Sequence, residues 1–308
     1  MNNPFIHLRS LSSYSLSEST LKISDLVSEV KKNEMPAIAL TDNNNMFGVF
    51  EFSQECTKNN IQPIIGTSIN LLDIKINNKI SQISFLVKNE EGYKNLLHLS
   101  SQSHLNNSKN VGLNFNQIKN YSEGLFCYIG GEYNPLLLLN KENKEKEIND
   151  LILNFKEIFN NNFLFEIQRI SDGVIDVFES KFIKLSKLHD ISLIGSNNIK
   201  YANKDDFSAH DALLCIAQKS TINNSNRDTS NENIYFKSTE DMKKIFEDIP
   251  EIIQNNFNVA ISCNYFPEET KPKLPKFQNS LNLTPEEYLL KFSKDGLDKK
   301  IHKLDQQK

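Results

Sequence analysis

The sequence predicts an α/β protein in which parallel strands alternate with helices and wind into a barrel. Three observations carry this. Residues 38–40 are a short apolar run ending in the polar tip Thr41-Asp42-Asn43, the pattern of a buried parallel strand that delivers side chains to the mouth of the fold. Val49, Phe52 and Cys56 recur at three- and four-residue spacing, so residues 48–59 read as a helix with one buried stripe, and Pro63-Ile64-Ile65-Gly66 returns to a strand. Strand, helix, strand within about thirty residues is a βαβ unit, because a parallel pair needs a crossover. The third observation is that the alternation continues to residue 195. Periodicity alone does not separate a barrel from an open sheet.

In chain order, residues 5–8 read as the first strand and 10–19 as a polar loop at its carboxyl end. A helix is expected to open on Ser24 as N-cap, with Asp25 in its first turn, and to run through Leu26, Val27 and Val30 until Met35-Pro36 stops it. Residues 69–76 and 80–87 read as strands around an Asn77-Asn78 turn. Residues 91–103 look helical, with Tyr93, Leu96, Leu97 and Ser100 on one side. Residues 124–129 form a strand ending at Gly130-Gly131. An amphipathic helix over 144–159 turns Ile148, Leu151, Ile152, Phe155 and Ile158 inward. A strand over 163–167, a helix over 173–189 and a strand over 191–195 follow. Residues 205–218 read as helix, 219–233 as a polar loop, and Ser238 as the N-cap of another helix with Asp241 in the capping-box position. A helix spans 250–263. Residues 266–277, with Pro267, Pro272 and Pro275, read as an extended linker, and a last helix starts at Thr284-Pro285.

The bulk numbers exclude several classes. The 308 residues can bury a sizeable core. A net charge of −4 argues against a chain whose main task is gripping nucleic-acid phosphates. Cys56, Cys127, Cys215 and Cys263 are far apart and form no CxxC pair, so neither a zinc ribbon nor a disulfide framework is suggested. The first residues start no signal peptide and no apolar run approaches a membrane span, so a cytoplasmic protein is expected.

Short motifs add a resemblance. His7-Leu8-Arg9-Ser10-Leu11-Ser12-Ser13-Tyr14-Ser15, Ala39-Leu40-Thr41-Asp42-Asn43 and Gln62-Pro63-Ile64-Ile65-Gly66-Thr67-Ser68 follow the frames HLHxHSxYS, ALTDHGxMxG and KPIIGxE. Together with Ala209-His210-Asp211-Ala212-Leu213-Leu214-Cys215-Ile216, which matches AHDxLLCI, they resemble the amino-terminal polymerase-and-histidinol-phosphatase (PHP) domain of bacterial DNA polymerase III alpha subunits. The resemblance runs from residue 5 to about 301. It implies a PHP-type distorted (β/α)7 barrel with accessory helices over 1–265, then a linker and helix over 266–308 leading toward the next polymerase region. It also implies a role in DNA replication.

In that family several divalent metals in a cup of His, Asp, Glu and sometimes Cys activate water against a phosphate ester. Here the frame persists and the ligands change. The two histidines of the first motif fall on Arg9 and Leu11, the histidine after Asp42 is Asn43, and the glutamate of the third motif is Ser68. The cysteine position is Gly131, and the Asp and His of a later ATNDVHY motif fall on Asn198 and Lys200. Only Asp42 keeps its charge, and an ion pair from Asp42 to Arg9 or Lys200 is expected to replace the cluster. These are vestigial positions, with no catalytic residue and no metal ligand among them. By resemblance the chain belongs to a nucleotidyltransferase, but the palm aspartates that would hold magnesium have no counterpart in it. The expected role is therefore structural, docking the proofreading exonuclease subunit and other replicase subunits, with DNA contacted only through other polymerase domains and no membrane partner. A stand-alone metal-dependent phosphoesterase and a binding module freed from any polymerase remain as alternatives.

Other candidates have plainer readings. His7 reads as a strand residue, His98 and His104 are six apart rather than four, and His210 suits helix packing or capping. Gly130-Gly131 reads as a strand-end turn. Ser12, Ser13 and Ser15 lack the GxSxG elbow of a nucleophile.

Overall fold

The computed structural model describes residues 3–76, 79–105, 110–170, 173–272, 275 and 277–305. The expected Asn77-Asn78 turn lies outside the described residues. Six strands form one sheet in sequential order. They are β1 (Ala37–Leu40), β2 (Gln62–Ile76), β3 (Lys79–Val87), β4 (Leu125–Gly130), β5 (Phe163–Gln168) and β6 (Ser192–Ser196). The pairs β1/β2, β4/β5 and β5/β6 are parallel, and β3 runs antiparallel to both of its neighbours.

The helices are α1 (Ile23–Lys32), α2 (Val49–Lys58), α3 (Glu90–Leu105), α4 (Phe115–Asn120), α5 (Pro135–Lys141), α6 (Glu145–Phe159), α7 (Gly173–His189), α8 (Phe207–Ala217), α9 (Thr239–Ile245), α10 (Glu251–Ser262) and α11 (Pro285–Asp305). By its contacts the chain divides into a unit ending at Glu268 and a second unit from Glu269 that contains α11.

The period of two along each strand sorts side chains onto two faces. Ile38, Leu40, Ile65, Phe85, Cys127, Phe163 and Phe165 face the outer layer, where they join Leu26, Phe52, Leu96 and Phe155 from the surrounding helices. Ala39, Ile64, Leu86, Phe126, Tyr128, Leu164 and Ile194 face inward. That inner cluster also takes Ile6 and Leu8 from the amino-terminal segment and Val259, Ala260 and Cys263 from α10 and its end. Both faces of the sheet are therefore buried, as a curled α/β sheet requires.

Residues 5–8 are extended but lack the continuous ladder of the expected first strand. Ala39 donates its amide to the His7 carbonyl at 2.9 Å, Thr41 to the Ser10 carbonyl at 2.8 Å, and Leu11 to the Ile199 carbonyl at 2.9 Å. The segment thus touches β1 on one side and the chain leaving β6 on the other, and it closes the curl of the six strands into a distorted barrel.

Several expectations change. Residues 63–66 and 69–76 are parts of a single strand, β2, because Gly66, Thr67 and Ser68 stay paired with Leu86, Phe85 and Ser84. Helix α1 starts at Ile23 with Lys22 at the cap, and Ser24 Oγ turns to Asp25 Oδ1 instead. Burial of Ile23 beside Leu26, Val27 and Val30 draws it into the first turn. Helix α3 buries Gly92, Leu96, Leu99 and Ser103, leaving Leu97 exposed. Its rotation follows from Gly92, where a Cβ would come within 1.9 Å of the Gly124 carbonyl oxygen. The capping box of Ser238 and Asp241 forms as expected. Helices α4 and α5 were not anticipated: α5 contains four consecutive buried leucines and so shows no period.

Candidate functional site

The inner face turns from apolar to polar toward the barrel mouth. Along the same inward register that places Ile64, Leu86, Leu164 and Ile194 in the core lie Ser68 on β2, Ser84 on β3, Glu166 on β5 and Ser196 on β6. All four are buried, and the Arg9 side chain is laid among them. Arg9 Nε donates to Glu166 Oε1 at 2.7 Å, one terminal nitrogen to Ser68 Oγ at 3.1 Å, and the other to Ser84 Oγ at 2.7 Å. Ser196 Oγ donates to the same Glu166 oxygen at 2.6 Å, Ser68 and Ser84 share a 2.7 Å hydrogen bond, and the Arg9 guanidinium carbon lies 5.1 Å from the centre of the Tyr128 ring. Burial works against the Arg9 charge, but the Glu166 carboxylate outweighs it and holds the pKa above the usual arginine value.

The expected ion pair of Asp42 with Arg9 or Lys200 is not formed. Asp42 accepts instead from the Ser12 amide at 2.7 Å, Ser12 Oγ at 2.7 Å and Ser15 Oγ at 2.6 Å. Ser15 Oγ in turn receives the Asn43 amide. Burial raises the Asp42 pKa, and the hydrogen bonds from Ser15 and Ser12 oppose that shift. The serines of the first motif are thus carboxylate ligands rather than nucleophiles. The physical reason for the changed pairing is that Glu166 presents a carboxylate to Arg9 inside the barrel, whereas Asp42 is saturated by the loop following the first segment.

The eight vestigial positions do come together. Arg9, Leu11, Asn43, Gly131, Asn198 and Lys200 line one cleft of about 480 Å3; Ser68 is bonded to Arg9 there, and Asp42 directly precedes Asn43. Asn43 donates to Glu18 and accepts from Gln82. Gly131 has φ +69, a conformation suited to glycine, and the Gln168 amide lies where its Cβ would stand. Lys200 is half-buried, and that burial lowers its pKa.

His210 is buried in α8, with Nε2 donating to the Glu18 carbonyl at 2.9 Å and Nδ1 bonded to Ser230 Oγ at 2.6 Å. The neighbouring Asp211 makes a bidentate pair with Arg227 at 2.8 and 2.6 Å. This pair of residues pins loop 219–233 against the cleft, a packing role. His98 lies against Tyr121, with ring centres 4.0 Å apart, and His104 donates to the Asn44 carbonyl. His7 donates from Nε2 to the Lys237 carbonyl and leaves Nδ1 without a partner among the described residues.

The donor set does not fit a divalent cation. The groups at the mouth are a guanidinium, an ammonium, hydroxyls and amides, beside the Glu18 and Glu132 carboxylates and the His210 ring, which are bonded to Asn43, to Lys79 and to Ser230 and the Glu18 carbonyl; among the described residues no three His, Cys, Asp or Glu side chains converge to hold a metal. Glu166 was missed in the sequence. Its signal was a single carboxylate inside the apolar run Phe163-Leu164-Phe165-Glu166-Ile167, a position that needs a buried partner.

A curled α/β sheet closed by its amino-terminal segment, with its first-motif residues at the mouth, defines the class, and a family model described as PHP domain matches residues 7–170. The chain belongs to the PHP domain family. More particularly, it is similar to proteins named DNA polymerase III subunit alpha. It is 35% identical to that of Rickettsia bellii over 303 residues, covering 96% of this chain and 25% of the relative. It is 36% identical to that of Borreliella burgdorferi over 311 residues, covering 95% and 27%. The chain therefore spans about a quarter of the length of these curated relatives. Among solved structures, a two-domain protein from Bacteroides vulgatus containing a predicted PHP-like metal-dependent phosphoesterase aligns with TM-score 0.43 and 11% identity, over 64% of this chain and 52% of that one.

Proposed function

We propose that this chain serves as the PHP module of a DNA polymerase III alpha subunit, acting in DNA replication in the cytoplasm as a structural and docking element rather than as a hydrolase. The observation that carries this reading is the buried Arg9 guanidinium, neutralised by Glu166 in the cup where the family gathers metal ligands. A guanidinium cannot ligate a metal and here it engages the buried Glu166 carboxylate, so the module uses no metal cofactor of its own. Nucleotidyl transfer is assigned to no residue of this chain, and DNA is contacted through other polymerase domains. Its partners are the proofreading exonuclease subunit and further replicase subunits. No helix among the described residues is long and apolar enough to cross a membrane.

The experiment pairs two measurements on the purified chain: capture of the exonuclease subunit from the same organism, and hydrolysis of a generic phosphomonoester with added manganese. Capture without hydrolysis is expected. Manganese-dependent hydrolysis that disappears in Asp42→Asn would establish the phosphoesterase alternative instead, and failure to capture the exonuclease would remove the docking role.

A further inference from the structure

Three large apolar side chains stand in solvent on the rim beyond β1. Leu16 is 75% exposed, Phe47 66% and Phe50 44%. Leu16 belongs to the loop after the amino-terminal segment, Phe47 to the loop after β1, and Phe50 to the first turn of α2. The two stretches are joined. Asn45 Nδ2 donates to the Tyr14 carbonyl at 3.1 Å, the Asn43 amide to Ser15 Oγ at 3.0 Å, and the Tyr14 hydroxyl to Glu51 Oε2 at 2.8 Å. The Tyr14 ring also lies against Gly48, where a Cβ would come within 2.7 Å of it.

Single apolar residues scattered on a surface need no explanation, but these are grouped and held in place at a cost. Ser17, next to Leu16, has φ +63 and Asn44 has φ +55, in the left-handed region that side chains other than glycine adopt uncommonly. Asn45 is buried; its Oδ1 accepts the Phe47 amide and its Nδ2 also donates to the Asn43 carbonyl. Apolar side chains fixed before a partner arrives lose less freedom on binding, and exposed aromatics are common anchors of protein interfaces. Charge narrows the partner. Residues 12–18 and 43–51 contain no lysine or arginine, and their charges are Glu18 and Glu51. Glu18 accepts from Asn43 and Glu51 from the Tyr14 hydroxyl, neutral donors that leave both carboxylates negative. A phosphate backbone or an anionic lipid surface is repelled by such a rim, whereas lysine and arginine are attracted.

We propose that this rim docks an amphipathic segment of a partner protein, which sets apolar side chains on Leu16, Phe47 and Phe50 and a lysine or arginine against Glu51. The rim adds a place and a chemistry to the docking role proposed above, and rests on that reading only in taking the partner to be a protein. Neither the cleft nor the Arg9 network takes part.

Fluorescence anisotropy of a labelled amphipathic helical peptide of leucine and lysine, titrated with the full chain, tests the rim. Saturable binding is expected, weakened about tenfold or more in Leu16→Ser and in Phe47→Ser. Glu51→Gln should weaken it less and make it less sensitive to salt. Leu188→Ser, which removes a comparably exposed leucine from α7, should bind as the wild type does. Melting temperatures of all variants separate lost binding from lost folding. No saturable binding, binding unchanged in both rim variants, or binding lost equally in Leu188→Ser would overturn the rim. Capture of the exonuclease is read separately: a wild-type chain that binds the peptide but captures no exonuclease loses that subunit as its partner and keeps the rim.

Discussion

Arg9 shows how one substitution rewrites a site. A guanidinium placed in a barrel cannot be left unpaired, and here Ser68, Ser84 and Glu166 from three strands hydrogen-bond it. Removing one member leaves the other buried and uncompensated. Arg9→Met is therefore expected to destabilise the chain by about 3–5 kcal/mol, while the double variant Arg9→Met/Glu166→Gln recovers much of that loss. Urea unfolding of the four members of the cycle measures it, and equal losses in the single and double variants would contradict the pairing. Asp42 makes a smaller and different contribution. Its three hydrogen bonds tether Ser12 and Ser15, so Asp42→Ala should cost about 1–3 kcal/mol. An unchanged melting temperature would show that the serine loop holds without it.

Loop 219–233 has no regular structure, yet it is fastened at two points by consecutive residues of α8. His210 takes Ser230, and Asp211 takes Arg227 together with the Ser230 amide at 2.9 Å. The Arg227 hydrogen bond is the main cause of the depressed Asp211 pKa. Arg227→Gln is expected to release the loop: hydrogen exchange over 219–233 should rise severalfold while β4 and β5 keep their protection. Exchange unchanged in the loop would mean that His210 and Ser230 suffice.

The barrel depends on its least regular piece. The segment from Phe5 to Leu11 bridges β1 and the chain after β6, and His7 within it is packed between Phe5 and Phe236, with ring centres 4.9 and 5.0 Å away. Burial pushes the His7 pKa down to about 4. Between that value and the ordinary 6.5 the unfolded chain binds more protons than the folded one, so stability is lost as pH falls through this window. The loss is at most on the order of 3 kcal/mol. His7→Phe should flatten the stability profile between about pH 6.5 and 4, as followed by urea midpoints. A profile as steep as the wild type's would assign the acid sensitivity to other groups.

Much of this architecture was legible because it rests on local rules. The βαβ unit at residues 38–66, the capping box of Ser238 and Asp241 and the buried stripe of α6 each follow from spacing within about thirty residues or fewer. The changed residues at the cup were equally visible, since motif frames place them by number. What the order of residues did not contain was who answers whom. Arg9 and Glu166 stand 157 positions apart, and His7 and Lys237 stand 230 apart. Asp42 was the nearer carboxylate along the chain, and it was already taken by serines that read as ordinary loop. Periodicity tells which face a side chain occupies, but only closure of the barrel brings inward faces from distant strands within hydrogen-bond reach, and the cost of an unpaired buried charge then selects the partners.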